Sequence, residues 1–138
     1  MTEILCFAPQ PPVSVAIQGS QARFPVHRIF CVGRNYPAHA KELNNPIPTT
    51  PILFIKPASS AVPFAPNFSI PQQQGRVHHE LEIAILISKV LCHANTDEVA
   101  KSIAGIGLGL DLTLRDIQDQ LKEKGHPWER AKSFDGAC

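Results

Sequence analysis

The placement of proline constrains this chain more than any other feature: all thirteen prolines but Pro127 fall before residue 75. Proline removes a backbone donor and fixes φ, so it suits turns, edge strands and first helical turns rather than helix interiors or central strands. The first half is therefore predicted to be short strands joined by turns and extended connections. The second half has a different character, a strand pattern followed by a helix pattern.

Strand signals in the first half are brief. Residues 13–17 alternate, with a turn at Gln18-Gly19-Ser20, and residues 26–32 form an apolar run ending at Gly33. Residues 52–55 read as a short buried strand closed by Pro57. Pro37 suits the first turn of a short helix over 37–43, stopped by Asn44-Asn45-Pro46. Residues 58–75 read as loop or edge strand. Residues 77–87 carry the sharpest pattern, with Leu81, Ile83, Ile85 and Ile87 on one face of an extended strand and Glu80, Glu82, Ala84 and Leu86 on the other. A short helix over 97–103 is expected, capped by Asn95 or Thr96. Residues 105–110 read as a small-residue strand packed closely against a neighbour. The spacing of Leu114, Ile117 and Leu121 predicts a helix over 113–124, stopped by Gly125.

A length of 138 residues fits a single domain, 1–138, and no repeat or low-complexity linker divides it. The net charge of +1, with basic residues scattered, gives no concentrated field for nucleic acid or anionic membrane. No apolar run approaches the ~20 residues that cross a bilayer, and no secretory leader is visible. Cys6, Cys31, Cys92 and Cys138 occur singly, which predicts four reduced thiols in a cytoplasmic protein.

Glu80 and Glu82, two apart on one strand face, sit about 7 Å apart, a repulsive arrangement unless a cation or a proton offsets it. A solvated strand face accounts for such a pair equally simply. Asp111 stands where the glycine-spaced segment gives way to helix, so it could cap that helix or join the two glutamates. Three gathered carboxylates would select a hard cation, Mg²⁺ first, with Mn²⁺ or Ca²⁺ also suited. Arg115 and Gln118 are four and seven residues beyond Asp111, on one face if a helix starts there, and an Arg at that place could grip a substrate carboxylate or form a surface pair. The Gly105-x-Gly-x-Gly run lacks the features of either phosphate-binding loop. His39 and Glu42, three apart in the first short helix, can touch; a bonded Glu raises imidazole basicity, a device for activating water, although an exposed His–Glu neighbourhood is also commonplace.

These pieces occur together in an order that resembles the fumarylacetoacetate hydrolase family. The segments are Gly33-Arg34-Asn35-Tyr36 with His39-x-x-Glu42, Phe54-Ile55-Lys56-Pro57, His78-His79-Glu80-Leu81-Glu82, residues 111–118 from Asp111 to Gln118, and Trp128 through Phe134 with Lys132. The resemblance covers roughly residues 26–138 and is nearest to the small single-domain acylpyruvate hydrolases and oxaloacetate decarboxylases or tautomerases. It implies an α+β, β-rich roll of mixed sheets with few short helices, in a homodimer. It implies a metal held by Glu80, Glu82 and Asp111, with Mg²⁺ the usual occupant. His39 and Glu42 would form a water-activating dyad, and Arg115, Gln118 and Lys132 would bind substrate oxygens, Lys132 also stabilising developing charge. The expected substrate is a small 2-oxo acid. The foremost reaction is carbon–carbon hydrolysis of an acylpyruvate, with oxaloacetate decarboxylation or tautomerisation, or isomerisation of an unsaturated dioate, as alternatives. Family members carry further strands beyond the motif at which this sequence stops, so a roll without its C-terminal strands, or an inactive interaction remnant, is also expected.

Overall fold

The computed structural model describes residues 5–36 and 48–138. The helix expected over 37–43, with His39 and Glu42, lies outside the described residues.

Among the described residues, six strands form three antiparallel ladders. β1 (Ser14–Ala16) pairs with β2 (Arg23–Pro25), β3 (Arg28–Gly33) with β4 (Ile52–Pro57), and β5 (Val77–Ile87) with β6 (Ile103–Leu114). The fold is α+β and strand-rich, with three short helices among the described residues: α1 (Thr96–Ala100), α2 (Arg115–Glu123) and α3 (Glu129–Lys132). No parallel pairing, such as a mixed sheet needs, occurs among the described residues.

Proline governs the first half as anticipated. A single 3-10 turn, Ala58–Ser60, follows β4, and residues 61–76 form no strand. The strand expected over 77–87 occupies those residues. Asn95 caps α1 through a reciprocal box: its side chain accepts from the Glu98 backbone N–H, while Glu98 accepts from the Asn95 N–H. That helix ends at Ala100, because residues from Ile103 onward are drawn into β6.

The largest departure lies at Asp111. Strand β6 runs through it to Leu114, and the helix starts only at Arg115. Asp111 therefore caps nothing, and it does not share a helix face with Arg115 and Gln118. The ladder overrides the helix signal there, because Leu112, Thr113 and Leu114 each find a partner on β5 (His79, His78 and Val77).

The apolar core is small. Leu114, Leu121 and Ala131 pack together, with Val77, Ile117, Trp128 and Phe134 against them. The larger fully buried side chains include Lys56, Thr113, Ser60 and Ser102. A strap at residues 136–138 closes over this region: Ala137 O accepts from Leu112 N–H, Cys138 N–H donates to Ser60 O, and Val62 N–H donates to Cys138 O.

Candidate active site

The β5–β6 register places Glu80 directly opposite Asp111 and Glu82 opposite Gly109. Directly opposed residues project to the same side of an antiparallel ladder, so Glu80, Glu82 and Asp111 share one face. The glycines at 105, 107 and 109 share it as well. The expected tight packing there is uneven: a Cβ on Gly105 would meet Leu86 at 3.4 Å, and one on Gly107 would meet nothing within 4 Å.

Cations converge on these carboxylates from three elements. Lys132, near the end of α3, donates to Glu80 Oε2 at 2.8 Å, Asp111 Oδ2 at 2.6 Å and Thr113 Oγ1 at 2.6 Å. Arg115, at the first turn of α2, bonds Glu80 through Nη2 and Gln118 through Nη1, and its Nε donates to His78 Nδ1 at 3.1 Å. Each guanidinium nitrogen makes one of these contacts, and Nη1 and Nη2 each keep a second N–H that could meet a substrate carboxylate. Lys56, from β4, is completely buried; its Nζ lies 2.9 Å from Asp111 Oδ1 and donates to the carbonyls of Leu112, Lys132 and Ala137.

These neighbours set the protonation states. Burial pushes the Glu80 carboxyl up, but Lys132 and then Arg115, by charge and by hydrogen bond, outweigh it and hold the group below its ordinary range. Glu82 moves the other way: burial raises it and the charges of Asp111 and Glu80 add to that, against a bond from the Tyr36 hydroxyl. His78 is lowered by desolvation first and then by the Arg115 and Arg76 charges, consistent with a neutral ring accepting from Arg115.

Among the described residues, no three His, Cys, Asp or Glu side chains stand close enough to enclose one ion as placed, and the Lys132 ammonium lies between Glu80 and Asp111. The donor set nonetheless fits a hard cation. All three candidates offer oxygen, and Asp111 Oδ1 is buried and accepts no hydrogen bond, because the nearby Lys56 ammonium lies outside hydrogen-bond geometry.

Six of the eight residues singled out from sequence can be located: Glu80, Glu82, Asp111, Arg115, Gln118 and Lys132. Hydrogen bonds and ion pairs link five of them directly, and Glu82 lies one strand pair along. His39 and Glu42 lie outside the described residues. Lys56, Thr113 and Tyr36 were not assigned roles. A signal for Lys56 was present: in Ile52-Leu53-Phe54-Ile55-Lys56 it alternates onto the same strand face as Ile52 and Phe54.

Known proteins resemble this chain over most of its length. The model of the fumarylacetoacetate (FAA) hydrolase C-terminal family matches residues 28–138. Oxaloacetate tautomerase YcgM of Escherichia coli (strain K12) is 46% identical over 121 residues, covering 88% of this chain and 55% of its own. The human mitochondrial oxaloacetate tautomerase FAHD1 is 40% identical over 111 residues, 80% of this chain and 50% of its own. The chain thus spans about half the length of these curated relatives. Among solved structures, a fumarylacetoacetate isomerase/hydrolase homologue from Oleispira antarctica superimposes with a TM-score of 0.83 at 78% identity, over 86% of this chain and 54% of that one. Fumarylpyruvate hydrolase from Pseudomonas aeruginosa, in complex with Mn²⁺ and pyruvate, gives 0.89 at 41% identity, over 97% and 60%. With the carboxylate ladder, the converging cations and a family match over four fifths of its length, this chain belongs to the fumarylacetoacetate hydrolase family.

Proposed function

We propose that this chain carries the chemical centre of a divalent-metal-dependent enzyme for small 2-oxo acids, and that its reaction is keto–enol tautomerisation of a 2-oxo dioate such as oxaloacetate. The observation that carries this reading is Lys132, a buried ammonium hydrogen-bonded at once to Glu80, Asp111 and Thr113. Tautomerisation moves one proton between carbon and oxygen and needs positive charge where the enolate oxygen develops. Lys132 Nζ supplies that charge within the described residues, and Arg115 with Gln118 orients a carboxylate beside it. Glu80, Glu82 and Asp111 would hold the divalent ion, which supplies further electrophilic stabilisation to a 2-oxo group.

Charge supports the dioate. Three carboxylates (Glu80, Glu82, Asp111) meet three cations (Lys56, Arg115, Lys132), a balanced set. A divalent ion adds two positive charges, which a dianion such as oxaloacetate offsets; fumarylpyruvate is a dianion too, so the charge balance selects a dioate and not the reaction. Oxaloacetate is also the substrate named for the E. coli and human relatives.

Acylpyruvate hydrolysis is the second reading, favoured by the likeness to the P. aeruginosa fumarylpyruvate hydrolase. It needs an activated water in addition, and the candidates for that, His39 and Glu42, stand outside the described residues. The test is the decay of the enol absorbance of oxaloacetate with Mn²⁺, run beside acetylpyruvate cleavage. We expect enol decay above the buffer rate, and Lys132→Ala to slow it by roughly 10²-fold or more. Decay that Lys132→Ala leaves unchanged, or acetylpyruvate cleavage outpacing it, would overturn the tautomerase reading.

A further inference from the structure

Beside the carboxylate face stands an arginine with no part in the proposed chemistry. Arg34 follows the last residue of β3 and adopts φ +55°, in the left-handed region that bulky side chains rarely occupy. Such strain persists only where the surroundings fix it, and it gathers at ligand sites. The turn leads the chain from β3 toward the carboxylates, where the Tyr36 hydroxyl bonds Glu82. Arg34 is half-buried, and its Nε is shut off from solvent with no hydrogen-bond acceptor among the described residues. A buried cationic donor without an acceptor is costly, and an anion is its complement.

A second cation lies nearby. Gly33, next to Arg34, is close enough to Trp128 that a Cβ there would meet the indole at 3.4 Å, and the Lys122 ammonium sits 5.6 Å from the centre of an indole ring of the same residue. Burial first, and then the Arg115 charge, hold the Lys122 ammonium below its ordinary range, with Arg34 and Lys132 adding to this against Asp119. Arg115, Gln118 and Lys122 follow one another at helical spacing on α2, so one strip of donors runs from the Glu80 contact of Arg115 toward Arg34. Among the described residues neither Arg34 nor Lys122 forms an ion pair, and Asp119 is shared with Arg76 at 3.6 Å. Neither cation belongs to the balanced set of three carboxylates and three cations at the centre. We propose that Arg34 and Lys122 form a subsite for the second carboxylate of a 2-oxo dioate, with Arg34 the residue that sets the preference for dioates over 2-oxo monoacids. The subsite deepens the proposed function and rests on its dioate reading, not on the choice between tautomerisation and hydrolysis.

The test is calorimetry on the Mn²⁺-loaded chain with pyruvate and with 2-oxoglutarate and 2-oxoadipate, two stable dioates that share its 2-oxo acid end and add a far carboxylate. The wild type should bind at least one dioate more tightly than pyruvate. Arg34→Gln should weaken that dioate by roughly 10- to 100-fold, the range typical of a hydrogen bond to a charged group. It should leave the affinities for pyruvate and Mn²⁺ unchanged. Arg34→Gly should give the same loss and melt close to the wild type, since glycine adopts φ +55° without strain. A purely structural arginine would instead lower the melting temperature and all three affinities together in both variants, and that result would overturn the inference. A dioate preference that survives both substitutions would overturn the subsite and leave the dioate reading standing. Equal affinity of the wild type for pyruvate and both dioates would overturn the dioate reading and the subsite with it.

Discussion

Lys56 Nζ stands 2.9 Å from Asp111 Oδ1, yet Oδ1 accepts no hydrogen bond and the lysine's donors go to main-chain carbonyls on three segments. The pair is thus bound by charge while geometry ties the lysine elsewhere. One ammonium joins β6, the end of α3 and the residue 136–138 strap, and it holds the Asp111 carboxylate beside that junction.

Removing one partner of such a buried pair leaves the other uncompensated. Lys56→Met should destabilise the fold by ~3–5 kcal/mol. The double variant Lys56→Met/Asp111→Asn should cost less than the two singles together, by about 1–3 kcal/mol. Urea titrations of the four proteins measure this, and strict additivity would show that the two side chains do not interact.

Metal binding should depend on Glu82 although it makes no ion pair with Lys132. Calorimetry with Mn²⁺ should show one site in the wild type, and Glu82→Gln should weaken it by more than the roughly 10–100-fold that loss of an outer partner costs. Equal affinity in both proteins would remove Glu82 from the ligand set.

The dyad expected at His39 and Glu42 separates the two reactions. His39→Ala should lower acylpyruvate hydrolysis by ~10²–10⁴, change oxaloacetate tautomerisation little, and leave Mn²⁺ affinity unchanged. Glu42→Gln should cost less, since the imidazole stays. Equal losses in both reactions would mean that His39 acts on a step they share.

At the surface, Asp116 accepts from the Arg76 backbone N–H at 2.9 Å and from its Nε at 2.7 Å, and these bonds hold its carboxyl below the ordinary range. Gly75 adopts φ +77° beside it, and a Cβ there would stand 2.3 Å from Asp116 Oδ2. A depressed carboxyl contributes stability above its unfolded pKa of about 3.9 and loses it as pH falls through the folded value. Asp116→Asn should therefore melt below the wild type at pH 7, and the two melting curves should converge in acid.

Thiol chemistry should divide the four cysteines. Burial first, and then the Asp111 charge, push Cys31 up to about 11, and burial raises Cys138, while Cys6 and Cys92 are exposed. Iodoacetamide at pH 8 should modify Cys6 and Cys92 well before the other two, as followed by peptide mass spectrometry.

Much of this was legible where one local rule dominates. The alternation from Val77 to Ile87 marked β5 without competition, Asn95 with Glu98 marked a helix start, and proline excluded long helices before residue 75. Asp111 was placed wrongly because residues 111–114 carry no turn signal, so a ladder that depends on distant β5 was read as the start of the following helix. The apolar residues of β4 do not by themselves tell which face turns inward, because they occupy both faces; the one distinguishing residue is Lys56, on the face of Ile52 and Phe54. The contacts of Lys56 with segments 56 to 81 residues away, and of Phe54 with Trp128, identify the interior side.

Those separations also set an order in time. β5 and β6 are joined by fifteen residues, 88–102, so their ladder closes a short loop, whereas the contacts of the Lys56 ammonium with the carbonyls of Leu112, Lys132 and Ala137 close separations of 56, 76 and 81 residues. Loop-closure entropy rises with length, and distant contacts add their stabilisation only after that cost is met. The contacts that align the carboxylates along their ladder are thus cheaper to close than those of Lys56, and Lys132, 21 residues beyond Asp111, is the nearer cation to offset that carboxylate.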